Sequence, residues 1–175
     1  MKNNQLQIAI SIIAVAGLIV LFLLGRGTPQ NADPEKTVSV NASQSDIVSE
    51  KAVHWHPELS VTIKGEKQPI PANIGIGMQY AGYPQYDSMM MMANMHTHDD
   101  SGMIHWEVME GPVTKDEVTL AVFFGIWGKT FNKDCIFEYC NGAGGTVKML
   151  VNGKENTEFE NYVVKDKDKI EIIFD

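Results

Sequence analysis

The sequence predicts a mostly β domain of the α+β class, a small antiparallel or mixed sheet with one short helix, carried behind an N-terminal transmembrane helix. Three observations lead there. Leu59, Val61 and Ile63 alternate with Ser60, Thr62 and Lys64, the period of a half-buried strand. Turn-forming pairs such as Asn152-Gly153 separate short apolar segments, as they separate the strands of hairpins. The run Ile8–Gly25 carries no charge and a single polar residue, Ser11.

That run comes first along the chain. Its roughly 18 residues are enough to cross a hydrocarbon core of about 30 Å as a helix. Lys2 and the amino terminus flank one end and Arg26 the other, which favours a cytoplasmic N-terminus and an extracytoplasmic domain. A cleaved signal peptide is the competing reading. The run is longer than the apolar region of most such peptides, and Gln30-Asn31-Ala32 makes a poor cleavage site. Residues 1–25 are therefore read as an uncleaved anchor in the cell membrane. Residues 26–52, with Gly27, Pro29, Asn31, Pro34, Asn41, Ser43 and Ser45 among charges, lack the apolar surface to offset ordering entropy. They read as a flexible tether with a reach of about 25–30 Å. Asn41-Ala42-Ser43 matches a glycosylation sequon, of consequence only in a host that glycosylates.

The folded domain is assigned to residues 53–175. After the strand through Leu59–Ile63, Lys64-Gly65-Glu66-Lys67 turns the chain, and Pro69 and Pro71 keep the next segment at a sheet edge. A second hairpin centres on Asp99-Asp100-Ser101-Gly102, between Met95–His98 and Met103–Met109. Thr119 is placed to cap a helix Leu120–Trp127 that Gly128 closes. Strands are expected near Ile136–Tyr139, Val147–Val151 and Ile170–Phe174, joined through Asn141-Gly142, Asn152-Gly153 and Lys165-Asp166-Lys167-Asp168.

The segments VHWHPELSVTIKG, PIPANIGIG, MHTHDDSGMIHWE and LAVFFGIWGKTF resemble a family of small prokaryotic membrane-anchored extracytoplasmic domains. Its most specific motifs are HWHP and HTHDxSGxIH, and the resemblance spans most of residues 53–175. It implies a compartment and carries no activity. The tail VKMLVNGKENTEFENYVVKDKDKIEIIF separately resembles the closing strands of a β-grasp (ubiquitin-like) fold, and implies fold alone.

The formal net charge of −8 disfavours nucleic acid and anionic headgroups as partners and suits cations. The sequence has no nucleophile elbow, phosphate-binding loop or dinucleotide fingerprint. Chemistry concentrates instead in the histidines. All five stand in His54-Trp55-His56 and His96-Thr97-His98 plus His105. Residues two apart on a strand share a face, so each H-x-H unit presents two imidazoles together. With Asp99–Gly102 as a four-residue loop, His98 would face Met103 and His96 would face His105, at Cβ separations of about 4.5–5.5 Å. The metal ligand set read from this is His54, His56, His96, His98, His105 and Met103. A surface patch of hydrogen-bonded histidines is the ordinary alternative. Clustered imidazoles repel when protonated, and a metal is a common reason to tolerate that. The spacing matches neither H-E-x-x-H nor an EF-hand loop, although Asp99 and Asp100 offer oxygen ligands.

Imidazole suits copper and zinc alike, while thioethers favour soft Cu(I). Ten methionines, four of them consecutive at Met89–Met92, favour copper as the cofactor, with zinc as the alternative. The Met run also fits an adaptable apolar filler, a binding loop or one buried helical turn. Cys135 and Cys140 would face opposite ways on one straight strand, so a disulfide between them needs a turn. In an oxidising compartment a short-range disulfide is the expected state, and a thiolate ligand pair the alternative. A blue-copper site is excluded, because no histidine follows Cys140. The functional expectation is a membrane-anchored copper-binding module that carries or holds the ion for a membrane partner. A metalloenzyme with an open coordination position, using Glu58 or Glu107 as base, and a structural accessory subunit are the alternatives.

Overall fold

The computed structural model describes residues 46–83 and 85–175. The expected anchor 1–25, the sequon and the tether up to residue 45 lie outside the described residues. Among the described residues, no helix is long and apolar enough to cross a membrane.

The strands run in the order β1 (Ile47–Ser49), β2 (Val53–Trp55), β3 (Glu58–Ile63), β4 (Glu66–Gln68), β5 (Tyr86–Asp87), β6 (Met92–Ala93), β7 (Met95–His96), β8 (His105–Val108) and β9 (Val113–Thr114). The helix α1 (Leu120–Trp127) follows. After it come β10 (Cys135–Ile136), β11 (Tyr139–Cys140), β12 (Val147–Val151), β13 (Lys154–Glu155) and β14 (Lys169–Phe174). The domain is mostly β with one short α-helix, in small mixed and antiparallel sheets.

The largest sheet has the order β13-β12-β14-β3-β4. β14 lies parallel to β3, with Ile170 beside Leu59 and Phe174 beside Ile63, and every other pair is antiparallel. The sheet is thus built from a first hairpin, a second hairpin that follows the helix, and a last strand set parallel to the first at the sheet centre, with β5–β9 inserted before the helix. The two outer hairpins are closed by two-residue turns, Lys64-Gly65 and Asn152-Gly153, with positive φ at all four residues. That conformation matches the right-handed twist of the strands they join.

Alternation along the strands sends one set of side chains to the core. Leu59, Val61 and Ile63 of β3, Val147, Met149 and Val151 of β12, and Ile170, Ile172 and Phe174 of β14 are all buried. Leu120, Phe123, Phe124 and Ile126 of α1 join the same cluster. Gly128 ends the helix as the sequence suggests, at φ 70°, its N–H donating to the carbonyls of Phe124 and Gly125. A buried carboxylate pins the turn before β14. Asp168 accepts hydrogen bonds from the Tyr162 hydroxyl (2.8 Å), the Asn152 amide (2.8 Å) and the Lys165 N–H (2.9 Å). Burial, and then the bond to Asp168, raises the Tyr162 phenol above its ordinary pKa.

Two local expectations change. Ile136–Tyr139 is not one strand: Phe137, at φ 54°, turns the chain so that Ile136 pairs with Tyr139 and Cys135 with Cys140. The turn supplies the geometry that a disulfide needs, and the two cysteines are bonded with their Cα atoms 4.0 Å apart. The Asn132 carboxamide oxygen starts this hairpin by accepting from the N–H groups of Asp134 and Cys135, both at 2.9 Å. Order also begins before Val53, since Ile47 and Ser49, within the stretch read as tether, pair with Thr114 and Val113 of β9. Three residues are too few to show a strand period, and their partner is remote in sequence.

Candidate metal centre

The histidines sit on a separate three-stranded sheet of order β2-β8-β7. Its pairs are Val53 with Val108, His54 with Glu107, Trp55 and Met95 with Trp106, and His96 with His105. The pleat sorts them. Val53, Met95 and Trp106 are buried on one face, and the Trp106 indole N–H donates to the Glu117 carbonyl at 3.2 Å. His54, His96, His105 and Glu107 occupy the other face. The expected pairing of His96 with His105 is therefore present. His56, just past β2, lies beside the same strand, where its own N–H donates to the Asp166 carboxylate at 3.0 Å.

All five imidazoles form one patch with His105 at its centre. Its ring centroid lies 4.5 Å from that of His98, 4.8 Å from His56, 5.5 Å from His96 and 6.3 Å from His54. The His96 and His105 rings stack with an interplanar angle of 14°. Two triads result, His54–His56–His105 and His96–His98–His105. In each, three imidazole nitrogens lie within 4.8 Å of one another, close enough to share a metal ion.

His96 is the most constrained member. Its side chain is fully buried, and Nδ1 lies 3.0 Å from the Ala93 carbonyl oxygen. A carbonyl only accepts, so Nδ1 carries the proton and Nε2 keeps its lone pair. That Nε2 faces Nε2 of His98 at 3.2 Å. A backbone acceptor that fixes the tautomer and leaves the other nitrogen free is the usual support of a ligating histidine. The unit is also fixed from behind. Thr97 is fully buried, its hydroxyl donates to the Pro71 carbonyl (2.7 Å), and its backbone N–H donates to the Ile74 carbonyl (3.0 Å). Gly75, at φ 77°, passes so close that a Cβ there would collide with the Met95 carbonyl and touch His96.

Across the patch, Glu107 lies 2.8 Å from Nε2 of His54 and 3.8 Å from Nδ1 of His105. Burial lowers the pKa values of His96 and His105 below the ordinary 6.5. For His105 the neighbouring imidazoles His98, His96 and His56 add to the effect, and Glu107 opposes it. The fold thus favours the neutral form of His96 and His105, the form that binds metal.

Met103 does not sit where the four-residue loop would put it. It bridges Glu58 rather than pairing with His98. The cause is the edge of β3: Gly102 accepts from the Leu59 N–H (2.8 Å), and Ile104 donates to the Pro57 carbonyl (2.9 Å). These bonds draw residues 102–104 away from His98, which is left exposed. The run Met89–Met92 is not a buried turn either. Met89, Met90 and Met91 are exposed at the end of the β5–β6 hairpin, where Asp87 accepts from the N–H groups of Met89 (2.7 Å) and Met90 (2.9 Å). Met90 and Met92, with Met109, line a cleft of about 270 Å³ whose wall includes His96, Glu107 and Asn94. The Asn94 side-chain oxygen is buried and makes no hydrogen bond. Sequence reasoning did not place Asn94 or Thr97 at the site. Glu107 was legible as its neighbour, being two residues beyond His105 on the same face.

Comparison with protein-family models, with curated proteins and with solved structures finds no match to this chain.

Proposed function

We propose that the chain is a membrane-anchored metal-binding module of the extracytoplasmic side, which holds copper for, or passes it to, a membrane partner. One observation carries the metal reading: the buried His96, its Nδ1 committed to a carbonyl, aims its Nε2 lone pair at Nε2 of His98, 3.2 Å away, beside His105. Zinc satisfies imidazoles equally well. Copper is favoured by the thioether side chains of Met90, Met92 and Met109, which share a cleft with His96. The uncharged run Ile8–Gly25 and the Cys135–Cys140 disulfide support a membrane-tethered, oxidising location.

The test is copper and zinc uptake by the purified full chain, read by elemental analysis after desalting. Wild-type protein retains bound metal, and the double variant His96→Gln/His105→Gln loses at least about tenfold in affinity, as ligand-shell disruptions do. His54→Gln alone costs less, because the triad His96–His98–His105 remains. Equal uptake by wild type and double variant would leave the patch a packed polar surface and end the metal reading.

A further inference from the structure

We propose that the two triads are two positions of a single ion, an outer loading position (His54, His56, His105) and an inner holding position (His96, His98, His105), with His105 common to both. The inference rests on the metal-binding reading above and assigns how that site is filled.

The shared residue sets the stoichiometry. A neutral imidazole has one lone-pair nitrogen and one N–H, so His105 ligates one ion at a time unless it is deprotonated to imidazolate. The ring centroids of His56 and His98 lie 4.8 and 4.5 Å from its own, so both alternative ligand pairs are within reach of that one residue.

Each position has one exposed member, His54 in the outer and His98 in the inner, and what sets the inner position apart is the burial and rigidity of His96. The His54 side chain is 60% exposed, whereas His96 is fully buried. His54 rests against the His56 ring, with centroids 4.6 Å apart, and its Nε2 meets Glu107 in a contact that an arriving cation can replace. His96 is fixed by the Ala93 carbonyl and by the buried Thr97 next to it. Ligands already held in their bound geometry lose less freedom on binding, so the inner position is the tighter one. The Glu107 carboxylate, close to His54 and His105, gives the outer mouth the negative charge that attracts a cation.

Filling is then a ligand exchange with no change of oxidation state. The ion first binds His54, His56 and His105, and the His54–Glu107 contact opens. His96 and His98 next replace His54 and His56 while His105 keeps its bond. The His54–Glu107 contact then closes again. Release to an acceptor runs the same steps backwards.

The test uses the full chain with Cu(II) as the probe, in three forms: wild type, His54→Gln/His56→Gln, and His98→Gln. Loading is followed by stopped-flow quenching of tryptophan fluorescence, since Trp106 lies on the strand between His105 and Glu107. Affinity is measured by competition with a chelator, and circular dichroism checks that each variant is folded. Wild type should bind one ion. The outer double variant should keep its affinity within about threefold and load about tenfold or more slowly. The inner variant should load at the wild-type rate and hold the ion about 10–100-fold more weakly, the usual scale for loss of a supporting ligand. Two ions per wild-type chain would overturn the single-ion scheme, as would unimpaired loading of the outer variant or undiminished affinity of the inner one. Each of those results leaves the metal reading standing. A wild-type chain that takes up no ion would overturn the metal reading itself.

Discussion

At the scale of single residues, two of the imidazoles, His96 and His105, are arranged to stay uncharged. His96 and His105 are held below the ordinary histidine pKa by burial and by their neighbours, so the folded chain resists their protonation. In the unfolded chain these two groups take up protons near pH 6.5. By linkage, the unfolded state binds more protons in that range, so stability is full above about pH 6.5 and declines as pH falls towards the folded pKa values. Urea midpoints of the metal-free protein between pH 7.5 and 5.5 should therefore fall, and His96→Gln should flatten the trend. The clustering of histidines was legible from their spacing in the sequence. The tautomer of His96 was not, because it depends on the Ala93 carbonyl and on how the chain bends between β6 and β7.

At the scale of elements, the turns were easier to read than the registers. Asn152-Gly153 and Lys64-Gly65-Glu66-Lys67 announce hairpins by local chemistry, and both hairpins form, although Glu66 and Lys67 already belong to β4. The Asp99–Gly102 loop looks equally simple, yet Met103 misses His98 because backbone groups from Pro57 and Leu59, far away in sequence, compete for residues 102–104. No local signal reports such a competition. Gly102 marks the crossing: its φ is 91°, and a Cβ there would collide with the Leu59 carbonyl. Gly102→Ala should cost about 1–3 kcal/mol of stability, the scale of a residue forced into a disfavoured backbone region. It should also weaken metal binding, because the same segment sets the positions of His98 and His105. Chemical denaturation together with metal affinity measures both effects.

At the scale of the whole molecule, the turn before β14 connects the main sheet to the metal patch. Asp168 gathers Tyr162, Asn152 and Lys165, its carbonyl accepts from the Glu58 N–H, and Asp166 accepts from the His56 N–H. Asp168→Ala strands the buried Tyr162 hydroxyl and frees the more exposed Asn152 amide and Lys165 N–H to water, and a buried unsatisfied donor costs about 1–3 kcal/mol. The variant should unfold at markedly lower urea than wild type, while Asp168→Asn, which keeps acceptor capacity, should lose less. The central pairing that this turn serves has a further consequence. Ser60 and Ile170, neighbours across β3 and β14, are 110 residues apart in the chain. A ribosome must therefore deliver almost the whole domain before β3 gains its second neighbour. Until then β3, paired only with β4, leaves its other edge open. Refolding should be slow for a chain of this size, as it is wherever distant segments must meet before any reward is gained. An open strand edge of this kind invites pairing with another chain, so refolding yield should fall as protein concentration rises.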